Sequence, residues 1–175
     1  MKKTKITICD VVPENVDEIQ NILYLSSFEV YLLCGFTEDD VHHKFKDLFL
    51  EDTLVQRKEH IENLTPNEKY IVAKEGDRLI GLCYVEKNKN TNLLHAMYVL
   101  PEYHGNGIGL KLWEEISKFF DPKKNIVLHV FECNTKAINF YLKLGFFDTG
   151  ERLTDKQHKM KNGKKIQVME MVKVV

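Results

Sequence analysis

The chain has 175 residues, 43% of them hydrophobic and 29% charged, and its 25 basic and 26 acidic side chains give a formal net charge of −1. This length predicts a single domain, residues 1–175, with a sizeable core, and this balance excludes a disordered protein. The near-zero net charge favours neither a nucleic-acid partner nor a polycationic one.

Four scattered cysteines, Cys9, Cys34, Cys83 and Cys133, form no C-x-x-C pair. We therefore expect free thiols in a reducing compartment, with no disulfide framework and no metal site. The basic N-terminus lacks the apolar stretch of a signal peptide, and no segment is long and apolar enough to span a bilayer. The sequence thus predicts a soluble, cytoplasmic protein with no membrane partner.

The first third of the chain is predicted to be a strand followed by helices. Apolar, β-branched residues over 5–12 predict the strand. Helical spacing of apolar residues predicts a first helix over 15–35. Thr37 followed by three acidic residues is typical of an N-cap and the first turn of a second helix. A third, more polar helix is expected over about 52–63.

The rest of the chain is predicted to be mostly strands, with two more helices. The expected strands are 70–73, 79–85, 93–100, 126–131, one opening at 146–149, and 166–174. The expected helices are 110–119, with Leu110, Leu112, Trp113, Ile116 and Phe119 buried, and 135–144. Asn162-Gly163 is the strongest hairpin-turn signal. This order predicts an α/β or α+β architecture on one central sheet.

A glycine-rich loop joins the strand at 93–100 to the next helix. Glycines at 105, 107 and 109 leave backbone N–H groups unobstructed beside the positive end of a helix dipole, which suits a phosphate. The dinucleotide pattern G-x-G-x-x-G fails because its third glycine would fall on Leu110, and no Gly-Lys-Ser/Thr follows for a P-loop. A coenzyme A pyrophosphate loop and a plain strand-to-helix turn both remain.

Two segments carry a resemblance to a known family. His104-Gly105-Asn106-Gly107-Ile108-Gly109 resembles the pyrophosphate motif Q/R-x-x-G-x-G/A of the GNAT superfamily of N-acetyltransferases, with histidine in place of the commoner Gln or Arg. Residues 134–146 resemble the family's N-x-x-A-x-x-F-Y-x-K-x-G-F segment. The resemblance covers residues 70–175, while over residues 1–69 only the layout matches.

The resemblance implies a fold, a co-substrate and a binding site. The fold is a GNAT-like three-layer αβα arrangement, with a mixed, mostly antiparallel sheet that splays at its fourth strand and helices on both faces. The co-substrate is acetyl-CoA, and no metal is implied. The implied coenzyme A site comprises Met97, Tyr98, Val99, His104, Gly105, Asn106, Gly107, Ile108, Gly109, Leu110, Asn134 and Tyr141.

Several of these residues have implied roles. The Met97 N–H would polarise the acetyl carbonyl, as a developing oxyanion requires, and Val99 would bond the pantetheine amides. Tyr141 is our candidate for the general acid that protonates the departing thiolate, the alternative being a ring packed on the sheet. Asn134 is expected to contact coenzyme A, to cap a helix, or to do both.

The general base is not carried over from the family. Many members have a glutamate on the central strand at the position that Leu93 occupies here. His95 lies two residues further on, so by strand alternation it would share a face with Leu93 and Met97. An imidazole titrates near neutral pH and could serve as the base. The alternatives are a hydrogen-bonded cleft histidine and a reaction that needs only ordered water.

We therefore expect an acetyl-CoA-dependent N-acetyltransferase that attacks the thioester directly with the primary amine of a small molecule, such as a polyamine, an aminoglycoside or an amino acid derivative. Within the enzyme class, the alternative acceptor is a protein N-terminus or lysine. From another class, the alternative is a non-catalytic acetyl-CoA sensor or assembly module. The family includes many dimers, so a homodimer and a monomer both remain as assembly states.

Overall fold

The computed structural model describes residues 5–159 and 165–175, with the backbone alone over 154–159. The predicted Asn162-Gly163 turn lies outside the described residues. The strands are β1 Ile6–Asp10, β2 Glu68–Glu75, β3 Arg78–Lys87, β4 Asn92–Val99, β5 Ile126–Phe131, β6 Phe147–Lys159 and β7 Lys165–Lys173. The helices are α1 Val16–Leu33, α2 Glu38–Phe45, α3 Glu51–Glu62, α4 Ile108–Ile116 and α5 Thr135–Lys143.

The described strands form one seven-stranded sheet in the order β1-β2-β3-β4-β5-β7-β6. Every neighbouring pair is antiparallel except β4 and β5, which run parallel. Helix α1 packs against β3 and β4, and α4 packs against strands β1 to β4. This arrangement confirms the predicted three-layer αβα fold with a mixed, mostly antiparallel sheet.

Local sequence signals explain where the helices begin and which face they bury. Thr37 caps α2 as predicted, because its Oγ1 accepts from the Asp40 N–H at 3.2 Å while the Asp40 carboxylate accepts from the Thr37 N–H at 3.0 Å. In α4, Leu112 and Ile116 are fully buried. The prediction that Leu110 is buried is wrong, since Leu110 is 45% exposed. Its position in the helical turn puts it on the side opposite the buried stripe.

The feature of the sheet that shapes the site is the short contact between β4 and β5. The two strands pair only over Asn92–Leu94 and Ile126–Leu128, and β4 then continues to Val99 without pairing to β5. This confirms the predicted splay at the fourth strand. Asn92 is fully buried at the start of the pairing, and its carboxamide bonds the backbone of residues 121 and 124. These hydrogen bonds hold the paired ends of β4 and β5 in place, and the cleft opens where the two strands diverge.

Candidate functional site

The splay of β4 from β5 opens a cleft of about 510 Å³ that runs from Met97 to the glycine loop. We call it the glycine cleft. Eleven of the twelve residues predicted to bind coenzyme A line it: Met97, Tyr98, Val99, His104, Gly105, Gly107, Ile108, Gly109, Leu110, Asn134 and Tyr141. Asn106, the twelfth, does not line it. The fold thus gathers two sequence-distant motifs around one cavity.

The glycine loop has the geometry of an anion site. Gly105 and Gly107 adopt φ values of +79° and +76°, and a Cβ at either would meet no protein atom within 4 Å. The first intrahelical hydrogen bond of α4 joins the Lys111 N–H to the Gly107 carbonyl at 3.1 Å. The three N–H groups before it therefore have no intrahelical acceptor. With no acidic residue in this first turn, the dipole is free to attract a phosphate.

His104 and Asn134 both hold backbone in place beside the cleft. His104 Nε2 lies 2.9 Å from the Val99 carbonyl oxygen, which ties the loop back to the end of β4. Asn134 caps α5, because its Oδ1 accepts from the Ala137 N–H at 3.1 Å. The capping role that the sequence left open is thus present, and Asn134 lines the cleft as well.

Helix α1 forms the wall of the cleft that the sequence did not predict. Ser26, Glu29, Val30 and Leu33 line it from this helix. Ser26 Oγ donates to the Val99 carbonyl at 3.1 Å, and Glu29 forms an ion pair with Lys136 of α5 at 2.5 Å. These contacts link α1 to both sides of the splay. No local pattern marks them, because each joins residues more than 70 positions apart.

The expectation that all four cysteines are free is wrong for two of them. Cys34, just after α1, forms a disulfide with Cys133, two residues before α5, and their Cα atoms are 5.4 Å apart. Cys9 and Cys83 are free thiols. Sequence spacing predicted no pair because 99 residues separate the partners, and only the packing of α1 against the end of β5 brings them together.

Tyr141 lies where the glycine cleft meets a second cavity. Its side chain is 8% exposed, and burial, with a further contribution from Cys83 and Tyr98, raises the pKa of its phenol above the ordinary value. The phenol is therefore protonated at neutral pH, which suits a proton donor. Its ring also packs edge-on against Phe146. Tyr141 therefore has a packing role as well, which was the alternative to the role of general acid.

The second cavity, about 480 Å³, lies on the α1–α3 side of the splay, and we call it the aromatic cavity. Its apolar lining comes from Leu23, Val30, Tyr31, Phe45, Leu48, Leu94, Ala96, Met97, Tyr98, Leu128, Val130, Phe131, Ala137, Tyr141 and Val168. Its polar lining comes from Ser27, Arg57, His95, His129 and Asn134. Six residues border both cavities: Val30, Met97, Tyr98, Asn134, Ala137 and Tyr141.

His95 lines the aromatic cavity and is held by a carboxylate. Its Nε2 lies 2.9 Å from Glu86 Oε2, and its ring stacks on Tyr84 with centroids 5.1 Å apart. His95 lines this cavity together with Met97, but the regular alternation of β4 is interrupted at His95. A bulge shifts the register from Tyr84–Ala96 to Val85–Leu94, so His95 has no opposite residue on β3.

A second carboxylate stands behind Tyr84. Glu68 accepts hydrogen bonds from the Tyr84 hydroxyl, from Thr65 and from His60, and these lower the pKa of its carboxyl to about 2. Burial and this negative charge raise the pKa of the Tyr84 phenol. Tyr84 is thus fixed as a neutral donor that supports the His95 ring.

Two polar residues of the aromatic cavity were missed by sequence reasoning, Arg57 and His129. Arg57 lies on α3, where most residues are polar, so nothing singled it out. His129 stands between the buried Leu128 and Val130 of β5, and this interruption of an apolar strand was the signal available. His129 Nε2 lies 3.7 Å from Glu170.

The described residues meet neither the requirements of a metal site nor those of a membrane-spanning helix. Within residues 5–159 and 165–175, no three His, Cys, Asp or Glu side chains gather as metal ligands. No helix among them is long and apolar enough to cross a bilayer.

Comparison with known proteins identifies one family. A model of the acetyltransferase (GNAT) family matches residues 27–146. "Probable N-acetyltransferase san" of Drosophila melanogaster is 31% identical over 128 residues, which cover 65% of this chain and 70% of that protein. YrkN of Bacillus subtilis is 31% identical over 86 residues, so the match spans less than half of either chain.

Solved structures share the fold. The PaiA N-acetyltransferase of Thermoplasma acidophilum, solved with coenzyme A, aligns with a TM-score of 0.70 at 20% identity over 95% of this chain and 98% of that one. A GNAT-family acetyltransferase of Streptococcus pneumoniae aligns with a TM-score of 0.72 at 21% identity over 98% of this chain and all of that one.

Proposed function

This chain belongs to the acetyltransferase (GNAT) family, and we propose that it transfers an acetyl group from acetyl-CoA to the primary amine of a small molecule by direct attack on the thioester. The meeting of the two cavities at Met97 and Tyr141 carries this proposal. One cavity ends in free helix N–H groups that fit a pyrophosphate. The other is lined by apolar and aromatic side chains and offers an acceptor a space of about 480 Å³.

Acetyl-CoA supplies an activated thioester, and the chain supplies the groups around it. The Met97 N–H is our candidate donor to the oxygen that gains negative charge as the amine attacks. Tyr141 is our candidate proton donor to the sulfur that leaves. Its position on the border of both cavities supports this role, because the phenol lies where the thioester and the amine would meet.

His95 is our candidate for the base that takes a proton from the amine, directly or through one water. Its contact with Glu86 at 2.9 Å supports the role, since a hydrogen-bonded carboxylate fixes the orientation of the ring. His95 faces only the aromatic cavity, on the side from which the amine would arrive.

The size of the aromatic cavity favours a small acceptor. A volume of about 480 Å³ holds a molecule of a few tens of atoms, and residues of α1, α2 and α3 line it. Protein N-termini and lysines are the alternative acceptors, and a sensor that binds acetyl-CoA without turnover is the alternative outside the enzyme class.

Tyr141→Phe tests the assignment, with Tyr24→Phe as the control because Tyr24 lines neither cavity. We expect kcat to fall by roughly 100-fold or more in Tyr141→Phe with acetyl-CoA affinity retained, and no change in the control. An unchanged kcat in Tyr141→Phe would remove the residue as acid. Acetyl-CoA binding by the wild type without turnover on any amine would favour the sensor.

The base is tested by the pH dependence of kcat/KM. A base must be deprotonated to act, so activity falls as the pH drops below its pKa and gives an acidic limb. His95→Ala should shift or abolish that limb. The same acidic limb in the wild type and the variant would exclude His95 as the base.

A further inference from the structure

Arg57 differs from the other two arginines of the chain in its partners. Arg78 pairs with Glu102 at 2.7 Å, and Arg152 pairs with Asp148 at 2.7 Å and with Glu132. Among the residues that the structure describes, no carboxylate lies within 4 Å of the Arg57 guanidinium. A guanidinium stays charged at every pH at which a protein functions, so this charge lacks a protein counter-ion.

The guanidinium is also buried in part and incompletely bonded. Its Nε atom is shielded from solvent and has no hydrogen-bond partner in the described part of the chain. The guanidinium also hydrogen-bonds the Tyr70 phenol, and its charge opposes the stronger effect of burial on the pKa of Tyr70 and on that of Tyr98, which lines the cavity. A shielded donor without an acceptor costs free energy unless a ligand or a water supplies one.

The location of Arg57 identifies the kind of ligand. Arg57 lines the aromatic cavity together with His95 and Met97, so it faces the space assigned to the acceptor. Glu68 and Glu86, on the strands below, are already engaged by Tyr84 and His95. A positive charge without a free carboxylate beside it repels a polycation and attracts an anion.

We propose that the acceptor carries a carboxylate as well as its primary amine, and that Arg57 binds this carboxylate while the amine reaches the thioester beside Met97. The inference rests on the proposed acetyl transfer and deepens it. It selects amino-acid-like acceptors over polyamines and aminoglycosides. One guanidinium fork matches the geometry and the single charge of one carboxylate, and the aromatic lining suits an apolar body between the two groups.

The test compares amines that share a body and differ in the carboxylate. One set is phenylalanine, phenylalaninamide and 2-phenylethylamine, a second is 4-aminobutyrate and butylamine, and spermidine represents the polycations. We expect the wild type to favour the carboxylated member of at least one set in kcat/KM by about 10- to 100-fold. A wild type that uses the members of both sets equally, or that prefers spermidine, overturns the proposal.

Substitutions at Arg57 and at the neighbouring Lys58 test whether the preference for a carboxylate depends on Arg57. Arg57→Gln should lose the preference for the carboxylate while its use of the uncharged-tail amines is retained, and Arg57→Lys should keep part of the preference. Lys58→Gln, one residue along the same helix and exposed, removes the same charge outside the cavity and should behave as wild type. An equal loss on every acceptor in Arg57→Gln, with Arg57→Lys no better, would mean a structural role and overturn the proposal.

A binding measurement keeps this inference separate from the proposed function. Calorimetric titration of the same amines into coenzyme A-loaded protein should show carboxylate-dependent binding that Arg57→Gln weakens, whether or not turnover occurs. Absence of turnover with such binding would contradict the transferase and leave the Arg57 site standing. Turnover of amines whose binding and rate do not depend on a carboxylate would support the transferase and contradict the Arg57 site.

Discussion

Replacing Gly107 with alanine isolates the contribution of the glycine loop to binding. Gly107 precedes α4 with φ 76° and ψ 8°, a left-handed conformation that costs an L-residue about 1–2 kcal/mol. The added Cβ would meet no protein atom within 4 Å, so this backbone strain is the whole expected loss of stability. For a chain of this size, Tm should fall by about 2–8 °C.

The loss of binding should exceed the loss of stability. Gly107 lines the glycine cleft, so its new methyl group would occupy space from which the N–H groups of α4 reach a phosphate. Losing one hydrogen bond to a charged group costs about 1.5–3 kcal/mol. We therefore expect the Kd for acetyl-CoA to rise roughly 10- to 150-fold, measured by calorimetry.

Gly150→Ala is the matched control. Gly150 also has a positive φ, +86°, and open space around its missing Cβ, but it lies on β6 and lines neither cavity. It should lose the same stability as Gly107→Ala and keep wild-type affinity for acetyl-CoA. Normal acetyl-CoA affinity in Gly107→Ala, or an equal loss in both variants, would refute the placement of the pyrophosphate at this loop.

Three further predictions concern stability. Reduction of the Cys34–Cys133 disulfide should lower the free energy of unfolding by about 2–4 kcal/mol in urea, because the bond joins residues 99 positions apart; identical curves with and without reductant would contradict it. Asn92→Ala should lose about 2–4 kcal/mol, since three buried hydrogen bonds to residues 121–124 disappear; a loss below 1 kcal/mol would show that they are dispensable. Glu68 has a folded pKa of about 2, below its ordinary 4.5, so its contribution is complete above pH 4.5 and disappears as the pH falls towards 2. Glu68→Gln should therefore flatten the fall in stability over that range, and an unchanged slope would count against the network.

The order of elements could be predicted because each element carries its own local signal. Strand β5 is an apolar run interrupted at His129, and it was placed at both of its ends. Helix α2 was placed by the cap at Thr37. The glycine loop and the segment after Asn134 could be assigned to one cleft because their residue types and spacing resemble those of one family.

What could not be predicted depends on contacts between distant residues. The Cys34–Cys133 bond, the Ser26 contact with β4 and the position of Arg57 all follow from how α1 and α3 lie on the sheet. The bulge at His95 was not predicted, because nothing in the local sequence marks where β4 breaks its two-residue alternation. Such features have no period or motif, so the sequence alone does not reveal them.

The most direct test of the central claim is acetyl-CoA binding and amine-dependent thiol release, measured on the same wild-type preparation. We predict saturable binding of acetyl-CoA, and thiol release that appears only when a primary amine is added, with the N-acetylated amine identified by mass spectrometry. Failure of acetyl-CoA to bind at all would contradict the assignment of the glycine cleft on which the account depends.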